Sequence, residues 1–381
     1  LLQRLTRIKQ VGLSSVVYPG AQHTRFQHSL GAFHLMSEAI MQLASKGNFI
    51  FDSEAEAVQA AILLHDIGHG PFSHVLEDTI VKGVSHEEIS LMLMERMNKE
   101  MNGQLSLAIQ IFKDEYPKRF LHQLVSGQLD MDRLDYLRRD SFYTGVTEGN
   151  IGSARIIKML DVADDHLVVE SKGIYSIENF LTARRLMYWQ VYLHKTSVAY
   201  ERMLISTLLR AKELARKGVE LFASPALHFF LYNDIDPEKF HSNPECLENF
   251  IQLDDNDIWT SLKVWSTHPD KVLSTLSLGI INRNIFKVEI SSEPISEERK
   301  KELTLQISRQ LGVTLSEANY FVSTPSIEKN MYEPADDSID IIYKDGTIKN
   351  IAEASDMLNI SLLSKKVKKY YICYQRLHIQ V

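Results

Sequence analysis

The run Ala60-Ala61-Ile62-Leu63-Leu64-His65-Asp66-Ile67-Gly68-His69-Gly70-Pro71-Phe72-Ser73-His74 decides how the chain is read. It begins as an apolar segment of helical character and then changes abruptly. His65 and Asp66 stand side by side, and His69 follows four residues after His65, on the same helix face. Gly68, Gly70 and Pro71 end or bend the helix there, so His74 returns from another direction. Burying an unpaired charge is expensive, and packing gives little reason for His-Asp at the end of an apolar helix. A divalent metal would remove that cost. Imidazole with carboxylate is the ligand mixture of Mn, Fe, Ni or Zn, and less so of Mg. A lone histidine would read as a hydrogen-bonded core or surface residue; three histidines and an aspartate within ten residues do not.

Composition sets the frame around this run. The chain has 381 residues, enough for one large or two modest domains, and 44% of them are apolar. A formal net charge of −7 argues against a strongly basic nucleic-acid scaffold and leaves room for a local basic groove. Cys246 and Cys373 are far apart and lack metal-type spacing, which fits a reducing, cytoplasmic setting and not a disulfide framework. Apolar runs stay short of membrane-spanning length, and the N-terminus lacks a charged-then-apolar layout, so no membrane partner is expected. The chain opens on Leu1-Leu2-Gln3-Arg4, already helical in pattern, as though residues preceded it.

In order along the chain, residues 1–10 read as a short amphipathic helix and 11–20 as a turn-rich link. The segment from His23 leads into a helix through Ser45, with His28 at its start and Arg25 one turn earlier. Beside the His65 cluster, His28 becomes a candidate ligand from a second helix. Residues 54–67 form the central helix, and Ser85 with Glu88 fits a capping box opening another at His86. Asp132, Tyr136 and Asp140 lie at i, i+4 and i+8 on one helix face. Asp132 can complete a two-His, two-Asp metal site drawn from three helices. Residues 167–170 and 173–175 suggest a small hairpin. Residues 177–216 read as one long helix on which Arg184, Tyr188 and Tyr192 are spaced by four. A cation and two phenols on one stripe suit a phosphate and a sugar or base, with helix packing the ordinary alternative for the tyrosines.

After Lys287 the character changes. Residues 288–290, 320–323 and 339–343 look like strands, Asp345-Gly346 like a tight turn, and 297–311 like an amphipathic helix. This places a boundary near residue 288: residues 1–287 as a helical domain with its extension, and 288–381 as a small α+β region. The fold class expected is mainly α. The basic run at 365–369 reads first as a solvated face and second as a nucleic-acid contact.

These residues resemble a known family. His28, the His65-Asp66 pair and Asp132 have the order H…HD…D of the HD-domain phosphohydrolases. The longer segments Tyr18-Pro19-Gly20-Ala21-Gln22-His23-Thr24-Arg25-Phe26-Gln27-His28-Ser29-Leu30-Gly31 and His65 to His74 are more specific. They look like the deoxynucleoside triphosphate triphosphohydrolase branch, which includes an animal enzyme carrying a SAM domain before its HD domain. The resemblance runs from about residue 3 to residue 287 and includes Asn282-Arg283-Asn284-Ile285-Phe286-Lys287 at its far end.

The resemblance implies a multi-helical HD core and one divalent metal ion held by His28, His65, Asp66 and Asp132. Arg25 would touch a phosphate. His69, His74 and His86 would line the phosphate side, with His74 assisting the attacking water or the leaving group. Glu77 falls where the animal enzyme has an aspartate partner of that histidine, and Arg133 where a lysine contacts phosphate. Tyr136, Asp140 and Tyr192 match positions around the sugar, Arg184 matches a triphosphate contact, and Tyr188 replaces a histidine. Gln3 and Arg4 match an activator site, but Thr6 replaces its guanine-reading arginine, so guanine-specific activation is not expected, and neither is a SAM domain. A nucleotide substrate and a homo-oligomer, dimer or tetramer, are implied as well. Two alternatives stay open. One is another HD-type phosphohydrolase acting on a nucleoside mono- or diphosphate or a signalling nucleotide. The other is a nucleotide-sensing or nucleic-acid-binding protein with a vestigial metal site.

Overall fold

The computed structural model describes residues 1–72, 74–329, 338–356 and 367–377, apart from the side chains at 74, 78, 328 and 329. Three helices position the histidines and aspartates. Helix α1 (Arg25–Ser45) opens on a capping box in which the Thr24 hydroxyl accepts from the Gln27 N–H and the Gln27 side chain accepts from the Thr24 N–H. Its buried stripe of Ala32, Leu35, Met36, Ala39 and Leu43 repeats at helical spacing. It packs against α2 (Asp52–Leu64), whose Ala57, Val58, Ala61 and Ile62 are buried. Then follow α3 (His74–Thr79), α4 (His86–Glu100), α5 (Ser106–Phe112), α6 (Arg119–Val125), α7 (Met131–Thr144) and α8 (Ser153–Met159). The expected capping box opens α4, with Ser85 and Glu88 exchanging both hydrogen bonds. Helix α7 starts where the Asp130 carboxylate accepts from the Arg133 N–H and stops at Gly145, φ +74°. It lies along the other side of α1.

Three local expectations are corrected. Residues 1–10 do not form an α-helix; Leu2–Arg7 is a 3-10 turn with Arg4 and Leu5 buried. The hairpin is displaced towards the N-terminus: β1 (Leu160–Ala163) pairs antiparallel with β2 (His166–Glu170), and Gly173 and Ile174 start a helix instead. Asp164 and Asp165, at φ +50° and +60°, supply the left-handed turn that sets this register. The long helix at 177–216 is broken. Helix α9 (Ile174–Met187) runs into a π turn at Tyr188–Tyr192, and α10 (Lys195–Arg216) begins anew with the His194 side chain accepting from the Thr196 N–H.

The remaining helices of this part are α11 (Pro225–Tyr232), α12 (Pro237–Ser242), α13 (Pro244–Phe250), α14 (Asp255–Trp265) and α15 (Lys271–Ile281). The C-terminal part has β3 (Lys287–Ser291), α16 (Glu297–Leu311), α17 (Leu315–Ala318), β4 (Val322–Ser323), β5 (Ser326–Lys329), β6 (Asp340–Ile342), β7 (Ile348–Asn350), α18 (Ile351–Ala354) and β8 (Val367–Tyr374). Tyr320 and Phe321, expected in a strand, close a 3-10 turn just before β4. One sheet runs β3-β8-β4, with β5 also on β8; the other runs β1-β2-β6-β7. In the second sheet β6 pairs parallel to β2, with Val169 opposite Ile341, so a C-terminal strand completes the hairpin of the helical part. The fold is mainly α with a small C-terminal α+β region, as expected. Among the described residues no helix is long and apolar enough to cross a membrane. Lys365 and Lys366 lie outside the described residues, while Lys369 sits over the Trp189 ring, 3.7 Å from its centroid.

Candidate metal centre and substrate cleft

His28 comes from the first turn of α1, His65 and Asp66 from the turn that ends α2, and Asp132 from the first turn of α7. That turn is fixed from α4. Ser90 Oγ accepts from the Gly68 N–H at 2.9 Å and donates to the His65 carbonyl at 2.6 Å. A Cβ on Gly68 would stand 2.2 Å from the His86 carbonyl, so only glycine allows this approach. From below, the buried Arg4 guanidinium donates to the carbonyls of Ile67 (2.9 Å) and His69 (2.7 Å) and to that of Ile251 (3.1 Å). Burial, ahead of repulsion from Arg7, lowers its pKa to about 10, so it stays charged at neutral pH. Arg4 therefore faces the interior. Thr6 donates to the Gln3 carbonyl.

The two imidazoles are oriented alike. His28 Nδ1 lies 2.7 Å from Asp135 Oδ2, and His65 Nδ1 lies 2.6 Å from the Ile62 carbonyl oxygen. Both partners only accept, so each Nδ1 carries a hydrogen and each Nε2 is the nitrogen turned inward, able to ligate once a cation displaces its proton. Both Nε2 atoms are buried and make no hydrogen bond of proper geometry. They converge on Asp132 Oδ1, at 3.0 and 3.4 Å, and Asp66 Oδ1 is 3.4 Å from His65 Nε2. The ligand atoms of His28, His65 and Asp132 lie within 4.8 Å of one another, a group that suits a divalent cation, and Asp66 stands beside it. Burial disfavours the charged His28 ring, yet Asp132 and Asp135 on either side outweigh it and push its pKa up to about 10. Burial likewise opposes ionisation of Asp132 and Asp66, and the surrounding imidazoles hold both well below the usual carboxylate range. A cation would take the place of the shared proton.

The phosphate side is partly assembled. Arg25 Nη1 is 2.6 Å from Asp66 Oδ2, and its Nε is buried without a partner. His69 Nε2 lies 3.2 Å from Asp66 Oδ1, and burial followed by Arg25 lowers its pKa to about 3. Its ring stacks on His86 at 3.8 Å. Glu77 stands 3.2 Å from His86 Nδ1. The side chain of His74, expected beside Glu77, lies outside the described residues. Arg133 bonds to Asp130 and the Gly127 carbonyl, and Arg184 Nη1 donates to Gln128 Oε1 at 3.0 Å. The Nε atoms of both arginines are buried and unbonded.

The expected Tyr136, Tyr188 and Tyr192 come together, with the Tyr192 ring centroid 6.0 Å from that of Tyr136 and 5.3 Å from that of Tyr188. The Tyr192 hydroxyl donates to Asp140 Oδ2 at 2.7 Å, while His23 Nε2 holds Asp140 Oδ1 at 2.6 Å and stacks on Tyr143. Sequence reasoning missed His23, Ser90, Asp135 and Arg139. Asp135 carries the only legible signal, as it follows Asp132 by three residues and so shares its helix face.

The HD domain family model matches residues 25–140 and the HD associated region model matches residues 151–223. The crystal structure of a phosphohydrolase from Bacteroides thetaiotaomicron VPI-5482 superposes with a TM-score of 0.96 at 93% identity, covering 98% of this chain and 93% of that one. The chain belongs to the HD-domain phosphohydrolases. This HD phosphohydrolase is also 29% identical to the uncharacterized protein YwfO of Bacillus subtilis over 98% of its own length and 86% of YwfO. It is 26% identical to the deoxynucleoside triphosphate triphosphohydrolase SAMHD1 of Homo sapiens, over 78% of this chain. It spans about half the length of that relative, 52%.

Proposed function

We propose that this HD phosphohydrolase hydrolyses deoxynucleoside triphosphates to deoxynucleoside and tripolyphosphate, with water attacking the α-phosphorus. The observation that carries the reading is the pair of buried Nε2 atoms of His28 and His65, without hydrogen-bond partners, meeting the carboxylates of Asp132 and Asp66. Those four residues would hold one divalent cation, which when bound lowers the pKa of water and polarises a phosphate oxygen. Asp135 and the Ile62 carbonyl keep both imidazoles in the ligating tautomer. Arg25, Arg133 and Arg184 would turn towards the triphosphate and spread its charge. His69 is held neutral and can accept or pass a proton, with His86 and Glu77 behind it. Tyr192 and Asp140 form a hydrogen-bonding edge against Tyr136, suited to a deoxyribose. The same reading includes a homo-oligomer in the cytoplasm.

The test is turnover of each dNTP, alone and in pairs, with Mn or Mg, and separation of products by ion exchange. Tripolyphosphate is expected, and orthophosphate from a nucleoside mono- or diphosphate would move the substrate class. Asp66→Ala should lose bound metal and activity together. Undiminished hydrolysis by a folded Asp66→Ala protein would sink the metal-site assignment.

A further inference from the structure

A second basic pocket lies away from these ligands, where the link between α3 and α4 meets the last turns of α10. It has a volume of about 580 Å³, and its walls include Lys82, Lys212, Arg216 and Lys217 with Glu213 and Asp234. Both carboxylates are already engaged. Glu213 accepts from Arg210 at 2.9 Å and from Lys217 and the Tyr320 hydroxyl at 2.5 Å each, and Asp234 is paired with Arg216. Lys212 is only 8% exposed, and among the described residues its ammonium has no hydrogen bond or ion pair. Burial, then Arg216, lowers its pKa; Asp234 pulls the other way, and Lys82 adds to the repulsion.

A lysine whose stem is buried and whose ammonium opens on the pocket beside like charges is held there at some cost to the fold. Attraction to the carboxyl end of the α10 dipole accounts for Arg216 and Lys217 in its last turn. It does not account for the burial of Lys212 or for Lys82, which arrives from a different element. The surplus of two cations over two carboxylates matches the charge of a phosphate group near neutral pH.

We propose that this pocket binds a phosphate group, supplied either as free phosphate or polyphosphate or as part of a nucleotide, through Lys82 and Lys212. The site is independent of the metal centre, yet it is placed to act on it. Lys82 lies in the link between α3, which carries Glu77, and α4, which opens with His86. Glu77 and His86 are 3.2 Å apart, so the ends of that link meet at the phosphate side of the metal centre. A phosphate bridging Lys82 to Lys212 would tie the link to α10 and steady that pair.

Calorimetric titration of the full chain with inorganic phosphate, tripolyphosphate and ATP tests the assignment. Lys212→Met and Lys82→Met should each weaken phosphate binding by roughly tenfold or more. Lys212→Met should keep or raise the melting temperature in phosphate-free buffer, because it removes a charge that burial and Arg216 disfavour. Equal affinity for tripolyphosphate and ATP would identify the phosphate chain as the ligand, and tighter binding of ATP a nucleotide. Phosphate should also slow amide hydrogen exchange at residues 80–85 in the wild type and not in Lys82→Met, a readout available even if Lys212→Met folds poorly. Phosphate affinity unchanged in both variants, or lost in Asp66→Ala and retained in the lysine variants, would overturn the proposal.

Discussion

Gly31 stands on α1 three residues after His28, and its missing side chain makes room for the group that orients that imidazole. A Cβ there would come within 2.0 Å of Asp135 Oδ1 and 2.1 Å of Arg139 Nη2. Arg139 grips Asp135 through two hydrogen bonds, at 2.8 and 2.9 Å, and Asp135 in turn holds His28 Nδ1. Gly31→Ala should push the carboxylate off the imidazole while leaving the α1 backbone intact. Metal affinity should fall by about ten- to a hundredfold, as for other losses behind a ligating histidine. Competition against a chelator measures it, and wild-type affinity in the alanine variant would show that Asp135 is not needed. The His65-Asp66 pair of the proposed ligand set stood out in the sequence because His-Asp after an apolar helix has no good packing explanation. Asp135 and Arg139 were not, because on a helix as charged as α7 they read as a solvated face. Nothing in the local pattern says that Gly31 on another helix has left space for them.

At the scale of elements, Arg4 and Asp255 both help tie the N-terminal segment to the core. Arg4 satisfies carbonyls from the turn after α2 and from the turn after α13 at once. Arg4→Ala leaves those buried acceptors unpaired and should cost about 3 kcal/mol or more, read as a lower denaturant midpoint. Activity should fall with it, since Ile67 and His69 flank the ligand turn. The second contact is Asp255, at the start of α14, which accepts from the Lys9 N–H at 3.1 Å while its other oxygen is buried without a partner. Burial raises its pKa from 3.8 to about 6. The folded protein therefore holds that proton more tightly than the unfolded chain, and stability falls as pH rises from about 4 to about 6. Asp255→Asn should be the more stable protein above pH 6, by on the order of 2 kcal/mol, with the difference gone below pH 4. Melting curves across that range check it; equal melting temperatures at pH 7 would contradict the buried-charge argument. Neither contact is visible in sequence, since both join segments far apart in the chain. The break between α9 and α10 is hidden for another reason. Tyr188–Tyr192 contains neither glycine nor proline, and a π turn keeps helix-forming residues while shifting their register.

At the scale of the whole molecule, composition and connectivity disagree. The change of character near residue 288 was plain in the sequence, and we propose the division there as one of composition. The parallel pairing of β6 with β2 was not legible, because three residues of strand carry no signal for a partner so distant in the chain. That pairing brings Ile339, Ile341 and Ile351 into the core, each at most 3% exposed. Full burial of such side chains contributes roughly 1.5–3 kcal/mol apiece. The Ser355 hydroxyl donates to Glu178 on α9, and Lys369 covers Trp189 in the π turn that carries Tyr188 and Tyr192. The C-terminal part thus supports the tyrosine side of the cleft as well as the edge of β2. The intact chain should therefore unfold in a single transition, with far-ultraviolet circular dichroism and tryptophan fluorescence coincident in denaturant. Ending the chain after Phe286 should leave β2 an unpaired edge beside newly exposed apolar surface, lower the melting temperature and promote aggregation. Two separated transitions in the intact chain, or a truncated protein that melts where the full one does, would show instead that residues 1–286 fold without the strand that completes their sheet.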